Sequence, residues 1–157
     1  MSKKKREIPN YNLPIIETHC HLDYLKELPL DETLDKASSI GVERVITIAV
    51  SPDNLEKVMD ITQQYDQVWG TQGIHPHDAE LYNDEVEQTI RTNLDDSKIL
   101  AVGEIGLDYF YDNADRAVQR AVFEKQLAIA VEKKMPVVIH TRDADEDTQA
   151  ILKNFVN

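Results

Sequence analysis

Short apolar runs recur along the chain, separated by segments with helical periodicity. Ile15-Ile16, Val45-Ile46-Thr47-Ile48-Ala49-Val50, Val68-Trp69-Gly70, Ile99-Leu100-Ala101-Val102 and Val137-Val138-Ile139 are continuous and rich in Val and Ile. That is the pattern of strands covered on both faces, as in a parallel sheet. Between them, Ser51-Pro52 gives a helix cap followed by proline, and Leu55, Val58, Met59 and Thr62 form one helical face. Leu34, Ala37 and Ile40 line another helix, with Gly41 as its terminator. Phe123, Leu127, Ala130 and Val131 mark the face of a longer helix that runs to about Lys134. A last amphipathic stretch, Ala150, Ile151, Leu152, Phe155 and Val156, is expected to lead toward a sixth strand. The alternation reads as five β/α units.

Parallel strands require right-handed helical crossovers, which leaves a doubly wound sheet or a (β/α)8 barrel. A doubly wound nucleotide fold carries a glycine-rich loop after its first strand. Here that position reads His19-Cys20-His21-Leu22-Asp23, without glycine. We therefore expect an α/β fold of the TIM (β/α)8-barrel family. A full barrel takes roughly 250 residues, so 157 residues correspond to about five of its eight units. The remaining strands are expected from a longer protein or a partner chain. Residues 1–10 are expected as a flexible basic arm, and residues 11–157 as the N-terminal part of the barrel.

Charge narrows the partners. The chain holds 29 Asp and Glu against 17 Lys and Arg, a formal charge of −12. Such a surface is unsuited to coating DNA, which depends on neutralising phosphates with Lys and Arg. It leaves open a nuclease whose metal ions meet the phosphates. A hydrophobic content of 41% argues against global disorder. No apolar run approaches the roughly 20 residues of a membrane span, so no membrane partner is expected. Met1-Ser2-Lys3-Lys4-Lys5-Arg6 is basic, yet no apolar stretch of a secretory signal follows. The single Cys20 rules out an internal disulfide framework and fits a reducing, cytoplasmic location.

Four of the five histidines fall in two His-x-His pairs, His19/His21 and His75/His77. Residues i and i+2 of a strand share a face, so His19 and His21 are placed to aim at one ion. His75-Pro76-His77 reads as a loop after the third strand, where a histidine contacts substrate or faces solvent. Glu104 ends the fourth apolar run, and a carboxylate there requires a cation or strong donors. Its two oxygens suit it to bridging two metal ions. Asp108 reads equally as an orienting group or a turn residue. His140 ends the fifth run as a further ligand candidate. Arg142 either clamps a phosphate with its planar fork or pairs with Asp143 or Asp145. Cys20 points away from the two histidines, toward burial. Trp69, Tyr109, Phe110 and Tyr111 offer either stacking faces for a base or packing surface. His19, His21, His75, Glu104 and His140 all fall at or beyond strand C-termini, the face where barrel active sites sit. One glutamate among neutral histidines leaves two divalent ions short of negative charge, so a further carboxylate is expected from later strands.

Four segments in order, Glu17-Thr18-His19-Cys20-His21-Leu22-Asp23, Gly73-Ile74-His75-Pro76-His77, Gly103-Glu104-Ile105-Gly106-Leu107-Asp108-Tyr109 and Val138-Ile139-His140-Thr141-Arg142-Asp143-Ala144, closely resemble the TatD family of metal-dependent deoxyribonucleases. The resemblance implies a TIM-barrel metallohydrolase of the amidohydrolase superfamily. It implies hydrolysis of DNA phosphodiester bonds by water activated between two divalent ions (Mg, Mn or Zn), often 3′-to-5′ from a DNA end. Carried over by position, His19, His21 and Glu104 would hold one ion, and Glu104 and His140 the other. His75 and Arg142 would then stand on the substrate side. Glu17 replaces the family's usual aspartate. A sixth-strand histidine and the eighth-strand aspartate that orients water have no counterpart here. The alternatives are an amidohydrolase acting on C–N bonds, which typically has a carbamylated lysine where Glu104 stands, or a non-catalytic fragment that retains partial metal binding.

Overall fold

The computed structural model describes residues 13–155, and the expected basic arm over 1–10 lies outside them, as does Val156. Five strands, β1 (Ile15–Cys20), β2 (Val42–Thr47), β3 (Val68–Gln72), β4 (Ile99–Asp108) and β5 (Val137–Arg142), form one parallel sheet in sequence order. Five helices alternate with them: α1 (Leu30–Ser39), α2 (Leu55–Gln64), α3 (Asp84–Asn93), α4 (Arg116–Lys133) and α5 (Asp145–Lys153). Parallel neighbours in unbroken sequence order are the barrel pattern, whereas a doubly wound sheet reverses direction at a switch point. The chain folds as five units of a curled half-barrel.

Four strands have boundaries that move from their sequence positions. Ile48, Ala49 and Val50 are buried but lie beyond the end of β2, which begins earlier, at Val42. They leave the ladder because they serve the site: the Ala49 carbonyl accepts from Glu104 N (2.9 Å) and the Val50 carbonyl from His75 N (2.7 Å). β1 extends to Cys20, so His19 lies within the strand and His21 just after it. β4 runs ten residues, which puts Glu104 mid-strand rather than at its end, and β5 carries His140 as its fourth residue. Gly103 and Gly106 let β4 lie close against β5. Both have positive φ (154° and 145°), and a Cβ on Gly106 would strike the His140 carbonyl.

The main core lies between strands β4 and β5 and helices α2 to α5, with Val58, Ile74, Ile90, Ile105, Leu107, Phe123 and Ile129 all but fully buried. A smaller cluster of Leu22, Leu34, Val45 and Val68 sits under α1, with Cys20 packed against it as expected. Asn83 caps α3, a helix for which the apolar pattern names no residues, by accepting from Glu85 N and Val86 N. On α4 the inward stripe is Gln119, Phe123, Gln126, Leu127 and Ala130, while Val131, assigned to that face from the sequence, is 55% exposed. The stripe follows i, i+3, i+4 spacing from Gln119, and Val131 falls one residue past its edge.

Candidate metal centre

Two overlapping groups of donor atoms converge at the C-terminal half of the sheet. Ligand atoms of His19, His21 and Glu104 lie within 4.8 Å of one another, as do those of His75, Glu104 and His140. Glu104 belongs to both. Its Oε2 faces His19 Nε2 at 3.4 Å and its Oε1 faces His140 Nδ1 at 3.3 Å. Burial opposes ionisation of Glu104, but the hydrogen bond from His140 and the neighbouring histidines outweigh it and hold its pKa below the ordinary value.

The imidazoles are oriented by their other nitrogens. His21 Nδ1 lies 3.1 Å from the Ile48 carbonyl, which can only accept, so the proton sits on Nδ1 and Nε2 is left as a donor for a metal. His140 Nε2 lies 3.0 Å from Asp108 Oδ2, which turns Nδ1 toward Glu104. The Glu104 hydrogen bond raises the His140 pKa against the opposing effect of burial. Two carboxylates thus favour positive charge at this point, whether it is a proton or a metal ion. His75 is neutral: burial, then the charge of His140, pull its pKa down to about 4. Its Nδ1 accepts from His77 N (3.1 Å), so its own proton resides on Nε2.

Asp108 has both of the roles its position allowed. It is 0% exposed. Oδ1 accepts from Phe110 N (3.1 Å) and Tyr111 N (2.9 Å) and shapes the turn, while Oδ2 meets His140 and also His77 Nε2 (2.9 Å). Burial disfavours its charge, and the Tyr111 backbone together with the two histidines overcomes this, holding the pKa down at about 2. Arg142 pairs with neither Asp143 nor Asp145. Its guanidinium lies over the rings of Phe110 (4.0 Å) and Tyr111 (4.6 Å).

Several supports escape a reading by motif. Gln119 donates to the Asp108 carbonyl (3.1 Å) and accepts from Asp108 N (2.8 Å). Gln126 does the same for Ile74, accepting from its N (2.7 Å) and donating to its carbonyl (3.1 Å). The signal was two glutamines seven residues apart on an otherwise apolar helix face, where an unpaired amide is costly. Tyr24 stacks on His21 at 5.3 Å and, with Asp78, helps line a cleft of about 250 Å³ bounded also by His21, Val50, His75, His77 and Glu104.

The donor set suits divalent metal ions. Imidazole nitrogens and a carboxylate are ligands for Zn and Mn, and Glu104 offers one oxygen to each side. Comparison with known proteins agrees. The family model "TatD related DNase" matches residues 16–157. The uncharacterised metal-dependent hydrolase YabD of Bacillus subtilis is 34% identical over 140 residues, covering 88% of this chain and 55% of that protein. The 3′-5′ ssDNA/RNA exonuclease TatD of Cronobacter sakazakii is 34% identical over 127 residues, 81% of this chain and 48% of that protein. The human 3′-5′ RNA nuclease TATDN2 is 37% identical over 94% of this chain and 21% of its own length. The crystal structure of YJJV, a TatD homologue of Escherichia coli, superposes with a TM-score of 0.80 at 31% identity, covering 89% of this chain and 55% of that one. The chain spans about half the length, or less, of these relatives. With motif order, half-barrel fold and histidine-carboxylate cluster in agreement, the chain belongs to the family of TatD-related DNases.

Proposed function

We propose that this chain carries the N-terminal part of the active site of a metal-dependent nuclease that hydrolyses phosphodiester bonds of DNA, acting 3′-to-5′ from an end. The observation that carries the reading is Glu104, with one oxygen toward His19 and the other toward His140. His19, His21 and Glu104 would hold one divalent ion, and Glu104 with His140 a second, with Mg, Mn or Zn as candidates. Such ions supply positive charge to the scissile phosphate and an activated water. This also answers the charge problem of a chain at −12, whose surface is unsuited to gripping phosphates by itself.

The chain's own residues do the positioning. His75, neutral and protonated on Nε2, is a hydrogen-bond donor at the cleft wall and suits a non-bridging phosphate oxygen. Arg142, set over the Phe110 and Tyr111 rings, adds a cation on the substrate side. Asp108 keeps His140 turned so that Nδ1, not Nε2, faces Glu104. The names of relatives, one an ssDNA/RNA exonuclease and one an RNA nuclease, support nucleic acid as the substrate class and leave RNA as a second polymer to assay. The lone Cys20 supports a cytoplasmic location. Residues 11–157 act as one domain in this reading.

The test is release of nucleotides from the 3′ end of a single-stranded oligodeoxynucleotide in Mn²⁺, with Glu104→Ala alongside. We expect metal-dependent release by the parent and none by the variant. Equal release from both would overturn the two-ion assignment. Activity on a cyclic amide with none on DNA would move the chain to C–N hydrolysis.

A further inference from the structure

Arg142 meets aromatic rings rather than a carboxylate. Among the described residues Arg91, Arg116 and Arg120 each pair with a carboxylate, and Arg44 lies against the Trp69 ring. Among the described residues Arg142, like Arg44, makes no ion pair, although Asp143 and Asp145 are close in sequence and the chain is strongly acidic. It lies instead across two aromatic rings that are themselves exposed, Phe110 at 54% and Tyr111 at 53%. The rings meet edge to face at 4.9 Å, and Tyr111 touches His77 edge-on at 5.5 Å, which joins the group to the cleft wall.

The group is held in place from below. Asp108, buried between His77 and His140, also accepts from the backbone N–H groups of Phe110 and Tyr111. The turn that presents the rings is therefore tied to the same carboxylate that orients the metal-side histidine. Two adjacent exposed aromatic rings carrying a guanidinium make a flat surface open to a ligand. Flat π surfaces and an arginine plane are what a splayed-out nucleobase stacks on, and the guanidinium attracts the adjoining phosphate.

We propose that Phe110, Tyr111 and Arg142 form a stacking subsite for an unpaired nucleobase next to the phosphate held at the metal centre. The proposal rests on the nuclease reading and adds the feature that selects a single strand: a base within a duplex is already stacked and cannot reach the rings. Stacking accepts any base, so the subsite reads strandedness rather than sequence.

The test is binding of two short phosphorothioate ligands to the full chain in Mn²⁺, followed by fluorescence anisotropy. One is oligothymidylate, and the other has the same backbone with every base removed. We expect the base-bearing ligand to bind at least about tenfold more tightly than the abasic one. Phe110→Leu with Tyr111→Leu should abolish that difference and leave abasic binding and Mn²⁺ affinity unchanged. Both positions are exposed, so the fold should tolerate the change. Arg142→Lys keeps the charge but loses the plane, and should remove part of the difference between the two ligands. Equal binding of the two ligands, or a double variant that binds oligothymidylate like the parent, overturns the stacking subsite and leaves the nuclease reading standing. Failure of both ligands to bind overturns both.

Discussion

The two sides of the candidate centre are built to different standards. His140 stands on β5 with its Nε2 fixed by Asp108, whose own backbone is clamped by Gln119. His75 on the same side has its backbone N bonded to the Val50 carbonyl, and Gln126 holds the preceding Ile74. Across Glu104, His19 lies on β1, an edge strand exposed along most of its length, and its side chain is 43% exposed. Its backbone N is tied to Glu17, itself exposed, and only His21 has an orienting contact to a buried backbone group, the Ile48 carbonyl. β4 and α4 share the main core, whereas from β1 only Cys20 packs into the minor one. Both β1 and β5 are edges of the sheet, but His140 on β5 is held by a buried carboxylate of β4, whereas His19 lies on an exposed strand that closure of the sheet or a bound ion must steady.

The sharpest way to break this contrast is through stability. Phe123→Ala, in the cluster with Ile105 and Leu107, should cost about 3–5 kcal/mol, whereas Ile16→Ala on β1 should stay within about 0.5 kcal/mol. Urea denaturation of the two variants measures both. Similar losses would mean that β1 is as firmly packed as β4.

Glu104 joins the two sides, so Glu104→Ala should weaken Mn²⁺ binding by at least about 100-fold and remove both binding events from a calorimetric titration, not one of them. Survival of one full-affinity event would show that the groups act separately.

The next effect is smaller and asymmetric. Asp108→Asn should lower Mn²⁺ affinity by about 10- to 100-fold, because the amide can present its NH₂ to His140 in place of the carboxylate oxygen. Glu17→Gln, beside His19 on the exposed strand, should change it less than about threefold. Imidazole ¹⁵N shifts of His140 would report the change of tautomer without reference to turnover.

The smallest effect is one of local opening. Amides of β1 should exchange with solvent about tenfold faster than those of β4, read by hydrogen exchange in the metal-free protein, and Mn²⁺ should narrow the gap. A uniform pattern would place both ligand groups on equally rigid ground.

The sequence by itself determined the β/α alternation and the barrel rather than the doubly wound sheet, and it singled out His19, His21, Glu104 and His140 as candidate ligands, whose donor atoms the structure brings together. Those follow from local facts: strand period, a missing glycine loop, and carboxylate or imidazole groups set next to apolar runs. Boundaries were less legible. Ile48-Ala49-Val50 look like strand because they are buried and apolar, yet burial is shared by strand and loop, and their carbonyls went to His21, Glu104 and His75 instead.

What only the tertiary structure decided was which groups meet. Asp108 reaches His77 and His140 across 31 and 32 residues, and Gln126 reaches Ile74 across 52. No local pattern marks such pairs. Arg142 had two acidic neighbours in sequence and chose neither, because β5 sets it beside the Asp108 turn, where two aromatic rings cover it. Residue types announce chemistry along the chain, but a hydrogen bond depends on distance and angle in space, and those exist only once the sheet has brought its strands into register.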